Sequence, residues 1–367
     1  MRHTQTAFFY FFSVLLSMNI FANIEMLKLD PGFKISIFAS DLDQPRQMIE
    51  SKNGTIFIGE RSGQIIALID SDGNGQADSK RVIADDLTYS TGVSIFEGDL
   101  YFSEIGKIWK IQDIENWLQK NSSGFPEKIL VTQDLPEDKW HGWKWLQHNV
   151  DGDIYTNVGA PCNNCISENP QYASIIRLSD DNWEYVARGV RNSVGFDFHP
   201  ETNKLYFGDN GRDWLGDNSP ACELNRVDED GLFYGFPYQH ALNVKDPEYG
   251  DLKSGYDYVD PILELGAHVA PTGLAFYDGE MFPKKYKNNI FITLHGSWNR
   301  SKKVGYKVIR VVLDSSGDVV DTKDFISGWL DGEKVLGRPA APLIVSDGSL
   351  LISDDKANVI YRITYKQ

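Results

Sequence analysis

Cysteine is scarce in this chain. Its 367 residues include three cysteines, Cys162, Cys165 and Cys222. No second cysteine pair stands at metal-ligand spacing, which argues against a zinc site, and Ile166 follows Cys165 where an attached haem would need histidine. In an oxidising compartment Cys162 and Cys165 can close a small disulfide loop. Cys222 is then the odd thiol, unless it pairs with one of the other two.

Long apolar runs are lacking after the N-terminal region. Beyond the apolar stretch from Ala7 to Leu16, no segment approaches the ~20 apolar residues that cross a bilayer. The layout of this first region, with Ala22 at its end, predicts a secretory signal peptide over residues 1–22. An uncleaved membrane anchor is the alternative. The mature chain, residues 23–367, is expected to be periplasmic or secreted, without a membrane span.

Excess positive charge and several common catalytic motifs are also absent. Acidic residues outnumber basic ones by 52 to 36, which gives a formal net charge of −16 and disfavours non-specific binding to nucleic acid or anionic lipid. The sequence contains no phosphate-binding glycine loop, no Gly-x-Ser-x-Gly elbow and no His-Glu-x-x-His helix. Nothing in it indicates a nicotinamide cofactor.

What the chain does contain is a repeated pair of short strands. A turn rich in Gly, Asp or Asn precedes a β-branched or aromatic run, and a second run follows. The six pairs are 53–58 with 64–69, 98–102 with 107–111, 151–155 with 174–178, 203–207 with 223–227, 289–294 with 307–313, and 347–353 with 359–364. This spacing predicts an all-β domain, a six-bladed β-propeller of four-stranded antiparallel blades. A β-sandwich is the alternative.

Two further features fit a closed ring of blades. The run from Gly32 to Phe38 precedes the first unit and is predicted to supply the outer strand of the last blade. Helical periodicity is nearly absent, and Asp113 to Lys120 is the best helix candidate. Loops at one end of a propeller channel converge, so residues distant in sequence can form one site.

Several loops between the strands carry side chains suited to chemistry. His141 lies in a tryptophan-rich loop, where apolar surroundings keep an imidazole neutral and able to accept a proton. A structural histidine is the alternative. Arg191 and Asn192 can aim a guanidinium and an amide at an oxygen-rich ligand. Comparable loop positions in later repeats hold His268, His295, Trp298, Asn299, Arg300 and Arg338.

Two polar loops are candidate calcium sites. One matches the first part of an EF-hand loop, with alternating oxygen ligands at Asp70, Asp72, Asn74 and Asp78. Arg81 stands where the closing glutamate belongs, so a calcium ion here would be structural. The other is the loop from Gly208 to Asp217. For both loops a solvated turn without metal is the alternative.

Together these motifs resemble the soluble quinoprotein sugar dehydrogenases, which use pyrroloquinoline quinone (PQQ), and especially their L-sorbosone dehydrogenase-like branch. The resemblance runs from about Gly32 to Ile363, and its most specific stretches are 189–195, 208–227, 295–301 and 337–362. It implies a six-bladed propeller with PQQ and calcium in the central pocket.

The resemblance also implies roles for individual residues. The catalytic base falls at His141, and the arginine that polarises the quinone oxygens falls at Arg191. Contacts to PQQ fall at Asn192, Arg338, Trp298 and Arg300, and backbone carbonyls that hold calcium fall at Gly211 and Arg212. Ala340 stands where the glucose enzymes have a second arginine, and their cofactor-binding lysine has no clear match.

We therefore expect PQQ-dependent oxidation of an aldose or a related sugar aldehyde or alcohol. His141 would assist hydride transfer to the quinone, and an external acceptor, a cytochrome or a quinone, would take the electrons. The alternatives are a non-catalytic propeller that binds a carbohydrate or a protein, and a calcium-dependent lactonase.

Overall fold

The computed structural model describes residues 24–120, 123–180, 182–252 and 254–366. The predicted signal peptide, residues 1–22, lies outside this part of the chain. Within it, six four-stranded antiparallel sheets form the blades of a β-propeller, with very little helix. The predicted fold class is confirmed. No helix among these residues is long and apolar enough to cross a membrane.

The first half of the chain forms three blades. Two N-terminal strands precede them, β1 Lys28–Leu29 and β2 Phe33–Ala39. Blade 1 contains β3 Pro45–Glu50, β4 Ile56–Glu60, β5 Gln64–Ile69 and β6 Ser79–Ala84. Blade 2 contains β7 Val93–Phe96, β8 Asp99–Ser103, β9 Ile108–Ile111, the short helix α1 Ile114–Gln119 and β10 Ile129–Thr132. Blade 3 contains β11 Leu146–His148, β12 Ile154–Val158, β13 Ser174–Ser179 and β14 Asn182–Arg188.

The second half completes the ring. Blade 4 contains β15 Phe196–Phe198, β16 Leu205–Asp209 and β17 Ala221–Arg226, followed by the short strands β18 Leu232–Phe233, β19 Gln239–His240 and β20 Val244–Lys245, and then by its outer strand β21 Leu263–Ala267. Blade 5 contains β22 Pro271–Phe276, a 3₁₀ turn Lys284–Tyr286, β23 Ile290–Leu294, β24 Lys307–Leu313 and β25 Val319–Ser327. After the hairpin of β26 Leu330–Asp331 and β27 Lys334–Val335, blade 6 contains β28 Pro339–Ile344, β29 Leu350–Asp354 and β30 Val359–Tyr365.

The ring is closed by the N-terminal segment. Strand β2 pairs antiparallel with β30 and so supplies the fourth strand of blade 6. This confirms the prediction for residues 32–38. Strand β1 adds to the edge of blade 5 by pairing with β25. Both ends of the described part of the chain are therefore paired in strand ladders, which links blade 6 to the start of blade 1.

The core lies between the blades. The second strands β4, β12, β16, β23 and β29 are buried at every residue, because neighbouring blades cover both of their faces. This explains why these strands begin with runs of β-branched, aromatic and leucine residues. Among the described residues, six hydrophobic clusters fill the gaps between successive blades. Each fully buried large apolar side chain contributes about 1.5–3 kcal/mol.

Glycine is required where the first strands crowd around the axis. A Cβ on Gly195, just before β15, would lie 2.6 Å from the Cα of Gly273 in β22. Gly273 in turn faces the backbone of β28, where its Cβ would lie 2.7 Å from the Ala340 carbonyl oxygen. The recurrent glycine near the start of the first strand thus permits close approach of adjacent blades.

Strand direction determines which loops can share a site. Successive strands of a blade are antiparallel, so the links between blades and the loops between second and third strands lie at one end of the channel. The remaining loops lie at the other end. The first end, called the blade-link end below, carries His141, Arg191 and Arg338, whereas the acidic loop of residues 70–78 follows β5 at the other end.

Candidate active site

The blade-link end of the channel opens into a pocket of about 390 Å³. Among the side chains expected from the sequence, the pocket brings together His141, Arg191, Asn192, Gly211, Trp298 and Arg338, with His268 and His295 beside them. Its lining also includes Arg46 and Arg61, which sequence reasoning missed. Asp213 is the one acidic side chain among the described lining residues. The pocket therefore suits an anionic ligand.

His141 is held as a neutral base. Its Nδ1 lies 2.8 Å from the Ala160 carbonyl oxygen, and because a carbonyl can only accept, Nδ1 carries the proton and Nε2 keeps its lone pair. Burial, followed by the nearby charge of Arg191, lowers the pKa of His141 to about 3. The residue adopts a φ of 54°, an uncommon backbone conformation that its surroundings fix. A Cβ on the facing Gly159 would lie 2.6 Å from the His141 Cβ, so the loop needs glycine there.

The protonation state of His141 can be measured directly. We expect its ring signals, in cofactor-free protein labelled with ¹³C-histidine, to stay those of a neutral imidazole between pH 5 and 8. The sign follows from the depressed pKa, since protonation begins only well below the ordinary value of about 6.5. The spectrum of His141→Gln assigns the signal. A midpoint near pH 6.5 would contradict the burial argument.

Arg191 is enclosed by acceptors at the pocket wall. Its Nε donates to the Asn163 carbonyl oxygen at 2.8 Å, and one Nη donates to the Asn163 Oδ1 at 2.9 Å. The other Nη donates to the carbonyl oxygens of Asn210 and Gly211 at 3.0 and 3.1 Å. Asp213 completes the set, with its Oδ2 3.4 Å from the guanidinium. Such a planar donor group held on several sides is a fixed element of the pocket wall.

The loop that holds Arg191 is closed by a disulfide. Cys162 and Cys165 are bonded, as expected from their spacing, and Cys222 is a free buried thiol that lines the pocket. Asn163, between the two bonded cysteines, accepts from Arg191 and from the Asp213 amide. The disulfide therefore stiffens the loop that positions the arginine.

Asn192 presents a free acceptor. Its backbone amide donates to the Asp209 Oδ1 at 2.7 Å, beside the Arg191 amide, which donates to the Asp209 Oδ2 at 2.8 Å. Its side-chain Oδ1 is buried without a hydrogen-bond partner among the described residues. A buried carbonyl oxygen without a partner is costly. A ligand that donates a hydrogen bond at this point would remove that cost.

Of the two backbone carbonyls predicted to bind calcium, that of Gly211 has another contact, and the side chain of Arg212 is engaged elsewhere. The carbonyl of Gly211 accepts from Arg191, and the Arg212 guanidinium pairs with the buried Asp246, which also contacts His240. A calcium ion at Gly211 would therefore displace a guanidinium and experience its charge. The arrangement does not fit a cation at that carbonyl as it stands, and a calcium ligand role at these two residues remains a prediction.

A cluster of three arginines forms the opposite wall. Arg46 Nη2 lies 2.7 Å from the Asp355 Oδ2, and Arg61 Nη1 lies 3.5 Å from the same oxygen. Arg338 donates to the carbonyl oxygens of His295 and Gly296 at 3.1 and 2.8 Å. Burial opposes ionisation of Asp355, but Arg46, His295 and Arg61 outweigh it and hold its pKa well below the usual range. One carboxylate thus pairs with two of the three guanidinium groups, and Arg338 has no carboxylate partner among the described residues.

The three-arginine wall has hydrogen-bond donors without partners and an excess of positive charge. The Nε atoms of Arg46 and Arg61 are buried and lack hydrogen-bond partners among the described residues. Arg61 also lies over the ring of Trp143, with its guanidinium carbon 4.7 Å from the centroid, and Trp143 stacks on Tyr89. The aromatic pair holds the guanidinium in place, so the donors are fixed before any ligand arrives.

Arg46 and Arg61 could have been identified from the sequence by their positions relative to the strands. Arg61, Asn210, His295 and Asp355 each directly follow the second strand of a blade. Arg46 and Arg338 stand at the start of a blade's first strand, one within β3 and one just before β28. Aligning the repeats against one another would have marked Arg46 and Arg61 as equivalents of residues already selected.

Other predicted site residues lie apart from the pocket. Arg300 donates to the Asp217 carbonyl oxygen and, at 2.9 Å, to the Asn218 Oδ1, and it is not part of the lining. Asp70, Asp72 and Asp78 bring carboxylate oxygens within 4.8 Å of one another, at the other end of the propeller. Asn74 lies in the same loop, where its Oδ1 accepts from the Gln76 amide. A calcium ion there stays a prediction and is remote from the pocket.

Comparison with known proteins shows to which family this chain belongs. The chain is 36% identical over 354 residues to an uncharacterized protein of Borreliella burgdorferi, covering 93% of this chain and 91% of that protein. The chain belongs to the same family as that protein. The family described as TrAA12-like matches residues 239–328.

More distant similarities identify the fold. A PQQ-dependent pyranose dehydrogenase of Coprinopsis cinerea is 22% identical over 332 residues, which span 76% of this chain and 44% of that longer protein. The holo structure of the PQQ domain of the Coprinopsis cinerea pyranose dehydrogenase superposes with a TM-score of 0.78 at 18% identity, covering 92% of this chain and 97% of the domain. The expected resemblance to PQQ-dependent sugar dehydrogenases is thereby confirmed. The sorbosone branch stays a prediction.

Proposed function

We propose that this protein is a PQQ-dependent dehydrogenase that oxidises a sugar alcohol or aldehyde group, outside the cytoplasm, and passes electrons to an external cytochrome or quinone. The observation that carries this proposal is the pairing of a neutral histidine base with a three-arginine wall in one pocket. The similar proteins support it, because the Coprinopsis cinerea enzyme is named for PQQ and pyranose.

The pocket's donors and acceptors fit PQQ. The cofactor is rich in carboxylates, which charge-assisted bonds from Arg338, Arg46 and Arg61 would hold. The unpartnered Nε atoms of Arg46 and Arg61 supply two of these donors. Asn192 Oδ1 would accept from the cofactor's ring N–H. Arg46 and Arg61 would thus supply positive charge in the pocket that Ala340 does not.

The chain's own groups supply proton chemistry and positioning. When bound, PQQ supplies a quinone that accepts a hydride. His141 accepts the proton of the substrate hydroxyl at Nε2, since Nδ1 is occupied by the Ala160 carbonyl. Its lowered pKa keeps it deprotonated at neutral pH. Arg191 directs fixed positive charge at oxygens within the pocket without needing to reorganise.

The lactonase alternative finds little support in this pocket. A calcium-dependent hydrolase would need several carboxylates that converge on one metal. Asp213 is the one carboxylate among the described lining residues, and it already pairs with Arg191. The non-catalytic alternative does not explain a base held neutral beside unpartnered arginine donors.

Adding PQQ to the purified protein tests the proposal. We expect saturable changes in the absorbance and fluorescence of PQQ, followed by sugar-dependent reduction of an artificial dye. Parallel samples with calcium and with a chelator show whether calcium is needed for either step. No spectral change with PQQ would overturn the proposal. Lactone hydrolysis without PQQ would support the lactonase, and sugar binding without PQQ binding would support the non-catalytic propeller.

A further inference from the structure

Two tryptophan side chains are exposed to solvent at the entrance of the pocket. Trp214 and Trp298 expose 67% and 66% of their surface, and their ring centroids lie 5.6 Å apart at an interplanar angle of 87°. Trp298 lines the pocket, whereas Trp214 lies just beyond it. Adjacent exposed apolar groups that are rimmed by polar residues can mark a ligand-binding groove.

The backbone of Trp214 adopts an energetically unfavourable conformation. Its φ of 71° is a left-handed conformation, which costs an L-residue of this size on the order of 1–2 kcal/mol and marks functional sites when the surroundings impose it. The residue before it, Asp213, is anchored to the pocket wall. The Asp213 amide donates to the Asn163 Oδ1 at 2.8 Å, and its Oδ2 lies 3.4 Å from Arg191.

The Trp298 loop is rigid as well and is joined to the Trp214 loop. The carbonyl oxygen of Ser297 accepts a hydrogen bond from the Tyr306 hydroxyl at 2.5 Å. The Ser297 amide donates to the Val304 carbonyl oxygen at 2.9 Å. Asn299 Nδ2 donates to the Asp213 Oδ1 at 3.2 Å. The two loops that carry the indoles are therefore held together by hydrogen bonds before any ligand binds.

We propose that Trp214 and Trp298 form a second sugar subsite, so that the substrate is an oligosaccharide or glycan whose terminal sugar enters the pocket. This inference rests on the proposed function. A pyranose ring presents C–H groups on one face and hydroxyls around its edge. The exposed indoles can pack against the C–H face of the sugar. The polar groups of Asn299, Asn218 and Arg300 lie beside the indoles and can bond to the hydroxyls at its edge.

The surroundings favour a sugar over a protein partner. A protein interface of ordinary size needs a broad patch of several hundred Å² with an apolar centre. Here Arg300 borders the indole pair and bonds to Asp217 and Asn218. A small aromatic surface with a polar border, continuous with the proposed substrate pocket that Trp140 also lines, suits a single sugar ring.

The test compares Trp214→Ala with Trp214→Phe in the PQQ-loaded protein, using glucose, maltose and cellobiose. We expect Trp214→Ala to lower the ratio of kcat/KM for a disaccharide to that for glucose by roughly 3- to 10-fold, the range of an aromatic contact. Trp214→Phe keeps an aromatic face and is expected to restore most of the ratio. A ratio that Trp214→Ala leaves at the wild-type value would overturn the subsite.

A cofactor-free measurement separates this inference from the proposed function. Maltose or cellobiose is expected to change tryptophan fluorescence in protein without PQQ, and Trp214→Ala is expected to reduce that change. If PQQ fails to bind while this signal persists, the dehydrogenase proposal fails and the subsite stands. If Trp214→Ala instead slows reduction of a cytochrome for glucose and disaccharides alike, while dye reduction is unaffected, the pair is an acceptor-docking surface and the subsite is wrong.

Discussion

Replacement of His141 by alanine is expected to lower kcat by about 10²- to 10⁴-fold, the usual contribution of a positioned general base. The reason is geometric. The Ala160 carbonyl fixes the proton on Nδ1, so Nε2 is the acceptor that the pocket offers. Among the other histidines of the lining, His295 uses its Nε2 on Asp355 and His268 uses its Nε2 on the Gly216 carbonyl. Neither can replace the lost base.

PQQ binding distinguishes a lost base from a collapsed pocket. The PQQ dissociation constant of His141→Ala is expected to stay within a few-fold of the wild-type value, because the arginine wall does not depend on the imidazole. His148 offers a matched control, since it is half-buried, has a pKa lowered by desolvation to about 4 and bonds to the Ser94 hydroxyl near the other end of the channel. His148→Ala should keep near-normal kcat. Full activity of His141→Ala would remove His141 from its role.

The fold was predictable because each repeat carries its own local signals. Turn residues precede the second strand of each blade, and that strand is rich in β-branched and aromatic residues because it lies between two neighbouring blades. The closing strand could also be found, because residues 32–38 had no partner within the first unit and pair with β30. What the sequence does not specify is the long excursion between β17 and β21, which delays the outer strand of blade 4.

The site was only partly predictable. His141, Arg191 and Arg338 follow from their loops and from the family resemblance. The contacts of Asp355 do not, since it pairs with Arg46 and Arg61 from the opposite end of the chain. Such pairs form only when the ring closes and blade 6 comes next to blade 1. Arg300 was assigned to the cofactor from the family resemblance, but its guanidinium bonds to the Asp217 carbonyl and is not part of the pocket lining.

Truncation of Arg338 is expected to weaken PQQ binding by about 10- to 100-fold. Hydrogen bonds to a charged group contribute about 1.5–3 kcal/mol, and each 1.4 kcal/mol is a factor of ten in affinity. Arg338 suits this role because its guanidinium bonds to carbonyl oxygens rather than to a carboxylate, so its charge is not neutralised directly. Equilibrium titration of Arg338→Ala with PQQ, followed by absorbance, measures the loss.

Arg46→Ala tests the same role in PQQ binding for an arginine that was not identified from the sequence. Asp355 retains Arg61 and His295 in that variant, so the wall loses one positive charge and an unpartnered Nε donor while its carboxylate stays paired. We expect a similar loss of PQQ affinity, and a weaker dependence of that affinity on salt, because fewer charges face the carboxylates. Arg362→Ala, which removes an exposed pair with Asp347 on the outer side of blade 6, is the control. If Arg46→Ala binds PQQ as the wild type does while Arg338→Ala does not, Arg46 serves only to pair Asp355, and Ala340 marks a contact that this chain has lost.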